Sequence, residues 1–147
     1  MTEGEGHSVR DIMKEKVVSI DETKTIKEAA SMMNEARIGS IIITKDDTPV
    51  GILTERDFVT KITAKEIPLS TLLSEVMTKP LLAVGPNQTV WEAAEIMKNM
   101  EIHRVAVQEG NKIIGMVSTT DLVKICSICS DSNLQRVADL IFSRQQK

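Results

Sequence analysis

A chain of 147 residues with a formal net charge of −3, two Phe, one Trp and no Tyr has neither the clustered cationic face nor the stacking rings of a nucleic-acid binder, which argues against nucleic acid as its main partner. Its 41% hydrophobic and 27% charged residues are those of an ordinary globular domain large enough to bury a core. Two cysteines are too few for a disulfide framework, no apolar run approaches bilayer length, and the polar opening Met1–Ser8 does not read as a secretory signal. The expected compartment is the cytoplasm, with no membrane partner. Aromatics being scarce, core volume falls to Ile, Val, Leu, Ala and eight Met, whose flexible side chains fill irregular gaps.

An internal repeat organises the chain. Val9–Phe58 aligns with Leu73–Leu122 without a gap at a constant offset of 64 residues. Met13 falls on Met77, Thr25 on Thr89, Glu28 on Glu92, Ala29-Ala30 on Ala93-Ala94, Gly51 on Gly115 and Asp57 on Asp121. Each copy opens with a short apolar run, Val17 to Ile20 or Leu81 to Val84. A capping box follows, Thr25-x-x-Glu28 or Thr89-x-x-Glu92, in which hydroxyl and carboxylate satisfy orphan backbone N–H groups at a helix start. Ile26, Ala29, Ala30 and Met33, like Val90, Ala93, Ala94 and Met97, recur at helical spacing. A β-rich run comes next (Ser40 to Ile43; Arg104 to Val107), then turn residues, then a second strand (Val50 to Leu53; Ile114 to Val117). Thr54 or Ser118 leads into another helix. Residues 59–72, with Pro68 breaking the path, link the copies, and a helical tail follows over 123–147. The predicted fold is α/β: two tandem βαββα repeats, 9–58 and 73–122, related by pseudo-twofold symmetry and sharing one core. Equivalent residues of both copies are expected to line a cleft on either side of the pair.

The recurring constellation is Gly-h-h-[Ser/Thr]-x-x-Asp: GILTERD over Gly51–Asp57 and GMVSTTD over Gly115–Asp121. A strand running into a helix presents backbone N–H groups and the positive end of the helix dipole, which favours an anion. The hydroxyls of Thr54 and Ser118 add donors, and Asp57 and Asp121 can accept from both hydroxyls of a ribose. The same spacing is also a capping box, so a structural reading stands beside the functional one. Gly51 and Gly115 suit places where the backbone must be approached closely.

With these motifs, the DIM and EVM openings (Asp11 to Met13; Glu75 to Met77) and TIKEAASMM and TVWEAAEIM, the chain resembles a pair of cystathionine-β-synthase (CBS) domains, a Bateman module. The resemblance covers nearly all of 9–122. It implies regulation rather than catalysis, with clefts that bind AMP, ADP, ATP or S-adenosylmethionine as regulatory ligand and with no required cofactor. By position it assigns the ribose to Asp57 with Thr54 and to Asp121 with Ser118. Thr25 and Thr89 join them as candidate ligand contacts. A His-Arg pair contacts phosphate in the nucleotide-sensing subunit of the AMP-activated kinase; here that pair is His103-Arg104, directed by the family's symmetry to the cleft of Asp57. The first copy has Gly39-Ser40 instead, so the two clefts should differ. Arg56, where the second copy has Thr120, reads as a phosphate contact or a surface charge.

Cys126-x-x-Cys129 resembles half of a zinc or redox motif but lacks a second ligand pair and lies in an apolar helical pattern with Leu122 and Ile125, so buried core or dimer-contact cysteines are the better reading. The tail stripe Leu134, Val137, Ala138, Leu140 and Ile141 lacks the basic face of a membrane binder and reads as a packing or dimer element. With two His and no motif of the known catalytic classes, no catalytic residue is assigned. The expected protein is a homodimeric module that binds an adenosyl ligand and modulates an unidentified partner protein. The alternatives are a dimeric interaction scaffold with empty clefts, or a metal or redox protein centred on Cys126 and Cys129.

Overall fold

The computed structural model describes residues 7–128, with side chains to Ile125. Its elements follow the repeat. The first copy contributes helix α1 (Val9–Ile12), strand β1 (Ser19–Asp21), helix α2 (Ile26–Ala36), strands β2 (Ser40–Lys45) and β3 (Thr48–Thr54), and the short helix α3 (Glu55–Asp57). The second contributes α4 (Leu73–Val76), β4 (Ala83–Val84), α5 (Val90–Met100), β5 (Arg104–Glu109), β6 (Lys112–Ser118) and α6 (Thr119–Ile128). Among the described residues no helix is long and apolar enough to cross a membrane.

The capping boxes form as the spacing requires. Glu28 N donates to Thr25 Oγ1 at 3.2 Å while Thr25 N donates to Glu28 Oε1 at 3.2 Å; at Thr89 and Glu92 the two bonds are 3.0 and 2.9 Å. Both helices stop after eleven residues on a left-handed residue, Arg37 (φ 54°) or Glu101 (φ 56°). The N–H of the next residue, Ile38 or Ile102, then returns to the carbonyl of Met33 or Met97.

Each copy builds a three-stranded sheet, in the order β1-β2-β3 and β4-β5-β6. The first pair is parallel, with a helix as the crossover, and the second is an antiparallel hairpin with a two-residue loop. Asp46 and Asp47 both take positive φ at the first hairpin loop, 51° and 66°, as its tight turn demands. Pro49 is tolerated because β3 is an edge strand and a register shift adjoins its pairing with Thr44.

In space the chain divides otherwise than the repeat suggests. Val17–Leu81 forms one compact unit; among the described residues, those up to Lys16 and those from Leu82 onward form the other. The openings are thus exchanged. Val9 of α1 is buried with Val84, Val90, Ala93, Val105 and Val117. Leu73 and Val76 of α4 are buried with Ile20, Ile26, Ala29, Ile41 and Leu53. Residues 59–72 are bound into the first of these units, beginning with a π-helical segment (Phe58–Thr63) that carries Ile62, 2% exposed. Ile26 N and Lys27 N donate to the carbonyls of Thr71 and Leu69. The tail beyond Ile128, including Cys129, lies outside the described residues.

The backbone bond from Thr89 holds the Glu92 carboxyl below its ordinary value of 4.5. A depressed carboxyl stabilises the fold above its unfolded pKa and loses that contribution as pH falls through the folded one. Thr89→Ala removes the hydroxyl that caps α5 and should cost about 1 kcal/mol in urea unfolding at neutral pH. In a carbon-detected NMR titration Glu92 of this variant should stay below its ordinary value, because the backbone donor at position 89 remains.

Candidate functional site

The closing motifs occupy equivalent places in the two units, at the end of an edge strand where it turns into a helix. Asp57 and Asp121 are 8% and 7% exposed, the buried charged residues among those described. One oxygen of each is spent on its own turn. Asp57 Oδ2 accepts from Thr54 N at 2.9 Å and Thr54 Oγ1 at 3.2 Å, and Asp57 N donates back to the hydroxyl at 3.3 Å. Asp121 Oδ2 accepts from Ser118 N and Oγ, both at 3.0 Å, and Asp121 N returns the bond at 3.2 Å. The capping reading is therefore realised in both copies. It leaves Oδ1 of each carboxylate turned to other partners, so capping and ligand binding are compatible on one residue.

Those partners are two lysines that the sequence analysis did not name. Lys14 Nζ donates to Asp121 Oδ1 at 2.9 Å. Lys61 Nζ stands 3.6 Å from Asp57 Oδ1 and donates instead to Thr78 Oγ1 at 2.6 Å. Lys61 follows Asp57 by one helical turn, a signal visible in sequence. Lys14 carries none, because it reaches Asp121 only through the exchange of openings.

The exchange also explains the two glycines. A Cβ at Gly51 would come within 2.8 Å of Met77 Sδ and 2.9 Å of the Thr78 carbonyl. At Gly115 the corresponding distances are 2.7 Å to Met13 Sδ and 3.0 Å to the Lys14 carbonyl. The close approach expected at these glycines is thus made by the protein's own opening segments. Each segment is held by a reciprocal backbone pair, Lys14 with Met116 at 2.9 Å in both directions and Thr78 with Ile52 at 2.9 and 3.0 Å.

The remaining candidates fall into place unit by unit. Ser40 pairs with Thr54 across the hairpin, and Glu55 N donates to the Gly39 carbonyl at 3.0 Å. Arg104 pairs with Ser118 in the same way, and Thr119 N donates to the His103 carbonyl at 3.0 Å. In each unit the start of one strand therefore borders the closing motif of the next. Thr25 and Thr89 spend their hydroxyls on helix caps. Arg56 is exposed. An open hollow of about 430 Å³ lies at the end of α2, bordered by Met33, Arg37, Gly39, Glu55 and Phe58. Among the described residues no three His, Cys, Asp or Glu side chains gather in a group that could hold a metal ion. The motif Cys126-x-x-Cys129 lies outside the described side chains.

A duplicated βαββα unit with a buried aspartate closing each copy defines a tandem-repeat α/β module. The CBS domain family model matches twice, over residues 9–64 and 73–128, and the chain belongs to that family. It is 33% identical over 115 residues to the CBS domain-containing protein YhcV of Bacillus subtilis, covering 78% of this chain and 82% of YhcV. It is 32% identical over 121 residues to an uncharacterized protein of Methanopyrus kandleri, covering 80% of this chain and 62% of that longer relative. Among solved structures it is similar to a CBS domain protein of Pyrobaculum aerophilum complexed with AMP, at 26% identity and a TM-score of 0.75, covering 90% of this chain and 98% of that one.

The packing at the glycines yields a stability test. Gly115→Ala pushes against a backbone carbonyl and a partly buried thioether, and should cost about 1–3 kcal/mol in urea unfolding. A Cβ at Gly85 meets nothing closer than 3.7 Å, so Gly85→Ala should stay within about 0.5 kcal/mol.

Proposed function

We propose that this chain is a regulatory module that binds an adenosyl nucleotide and passes its occupancy to a partner protein, without catalysing a reaction. The observation that carries the reading is the duplicated buried carboxylate, capped on one oxygen and able to accept from a ligand's hydroxyls on the other. The AMP held by the Pyrobaculum aerophilum relative supports AMP as the first ligand to test. ADP, ATP and S-adenosylmethionine follow as competitors. In this reading Asp57 with Thr54 and Asp121 with Ser118 take ribose hydroxyls. His103 and Arg104 take phosphate, for which a planar, permanently charged guanidinium is well suited. Gly39 and Ser40 hold the corresponding place for the second ligand, while Thr25 and Thr89 keep the helix starts in position. The cytoplasm is the compartment proposed, in keeping with the sparse cysteines.

AMP should raise the melting temperature, as any ligand selective for the native state does. No shift with any adenosyl ligand at millimolar concentration would overturn the reading. In calorimetric titration, Asp57→Asn, which keeps the cap acceptor but removes the second oxygen, should weaken AMP by about tenfold to a hundredfold (1.5–3 kcal/mol). Arg104→Ala should weaken the same event for AMP and scarcely affect adenosine. Equal losses for AMP and adenosine would remove the phosphate role.

The proposed assembly is a homodimer with twofold symmetry. Val59 and Met100, 66% and 55% exposed in the single chain, are apolar surface that a second copy would cover. Light scattering at high micromolar concentration should give twice the chain mass; a monomer would refute the assembly.

A further inference from the structure

Both motif aspartates face a lysine, but the lysines come from positions that do not correspond. At the constant offset of 64, Lys14 corresponds to Thr78, and Lys61 corresponds to Ile125, which carries no charge. The geometry differs accordingly. Lys14 makes a direct 2.9 Å bond to Asp121 Oδ1 from a backbone clamped to Met116. Lys61 lies 3.6 Å from Asp57 Oδ1, beyond hydrogen-bond length, and gives its 2.6 Å bond to Thr78.

A ribose diol donates hydrogen bonds and needs carboxylate lone pairs to receive them. Oδ2 of each aspartate already accepts from a backbone N–H and a hydroxyl. Oδ1 is thus the acceptor a ligand would use, and an ammonium bonded there competes for it. We infer that Lys14 is an internal competitor for the Asp121 carboxylate, whereas Thr78 holds Lys61 off the Asp57 carboxylate, so that a ribose is taken first at Asp57. This rests on the reading of both aspartates as ribose acceptors. Lys14 is therefore a specificity-determining residue as well as a counter-ion. Its side chain is 61% exposed, so it swings clear at small cost, and its freed ammonium then meets the phosphate of a nucleotide. AMP regains in this way part of what adenosine loses.

The test is calorimetric titration of the full chain with adenosine and with AMP, each binding event being assigned by Asp57→Asn and Asp121→Asn. Lys14→Met keeps the apolar stem and removes the charge. It should tighten adenosine at the Asp121 event by about threefold to fivefold, the size of a partly exposed ion pair, and AMP by less. Thr78→Val frees Lys61 to bond Asp57 and should weaken adenosine at the Asp57 event by a similar factor. Unchanged or weaker adenosine binding in Lys14→Met, or an Asp57 event indifferent to Thr78→Val, would overturn the inference. Urea unfolding of both variants separates these outcomes from a loss of fold. If adenosine binds but ignores both aspartate variants, the ribose reading fails and takes the competitor with it. If the aspartate variants lose adenosine while Lys14→Met and Thr78→Val do not alter it, the competitor alone fails.

Discussion

The contact on which the rest of the structure depends is a methionine laid across a glycine. In each unit an opening segment, Met13-Lys14 or Met77-Thr78, crosses an edge strand so closely that a β-carbon would collide with both a thioether and a carbonyl. The absence of a side chain at Gly115 or Gly51 allows the reciprocal backbone pair just beyond it, at Met116 or Ile52. That pair fixes the strand two residues before the closing motif. The turn bearing Ser118 and Asp121, or Thr54 and Asp57, is thus aimed by a segment from a distant part of the chain. Methionine suits the place because its unbranched thioether conforms to the pleat where a β-branched side chain would not.

The closing motif shows how one carboxylate serves the fold and a site together. A capping box needs a single acceptor, and an aspartate has two. Spending Oδ2 on the turn holds the side chain in one rotamer and relieves the cost of burying it, since the buried charge keeps a backbone donor and a hydroxyl. What remains is an acceptor held in a fixed direction, with a cation beside it. The surroundings of that acceptor differ between copies although the motif itself does not.

What was legible in the sequence was what acts over three or four residues. Thr25-x-x-Glu28 and Thr89-x-x-Glu92 started the helices where expected, and the β-branched runs gave hairpins whose first strands run two residues further and whose second strands gain two residues before and one after. The fold class followed from the repeat. The glycines signalled a close approach but not its maker, because the offset that aligns Met13 with Met77 says nothing about which sheet each methionine joins. For the same reason Lys14 could not be tied to Asp121 by any local pattern. Residues 59–72 read as a connection because Pro68 and scattered polar residues mask the period. Ile62 and Ile67 nonetheless pack into the core of the unit they close.

The exchange of openings has a consequence for the order in which the chain becomes a protein. Val17–Leu81 is continuous, so every partner of its core is present once Leu81 has been synthesised. The bridge between Ile52 and Thr78 closes a short loop, whereas that between Lys14 and Met116 spans about a hundred residues, a difference of about 1 kcal/mol in closure entropy. The segment bearing Val9 and Met13 leaves the ribosome about a hundred residues before the glycine that receives it. One half of the molecule can assemble as it emerges, from local contacts. The other waits, with its first apolar residues unpaired, until the strand they clasp has been made.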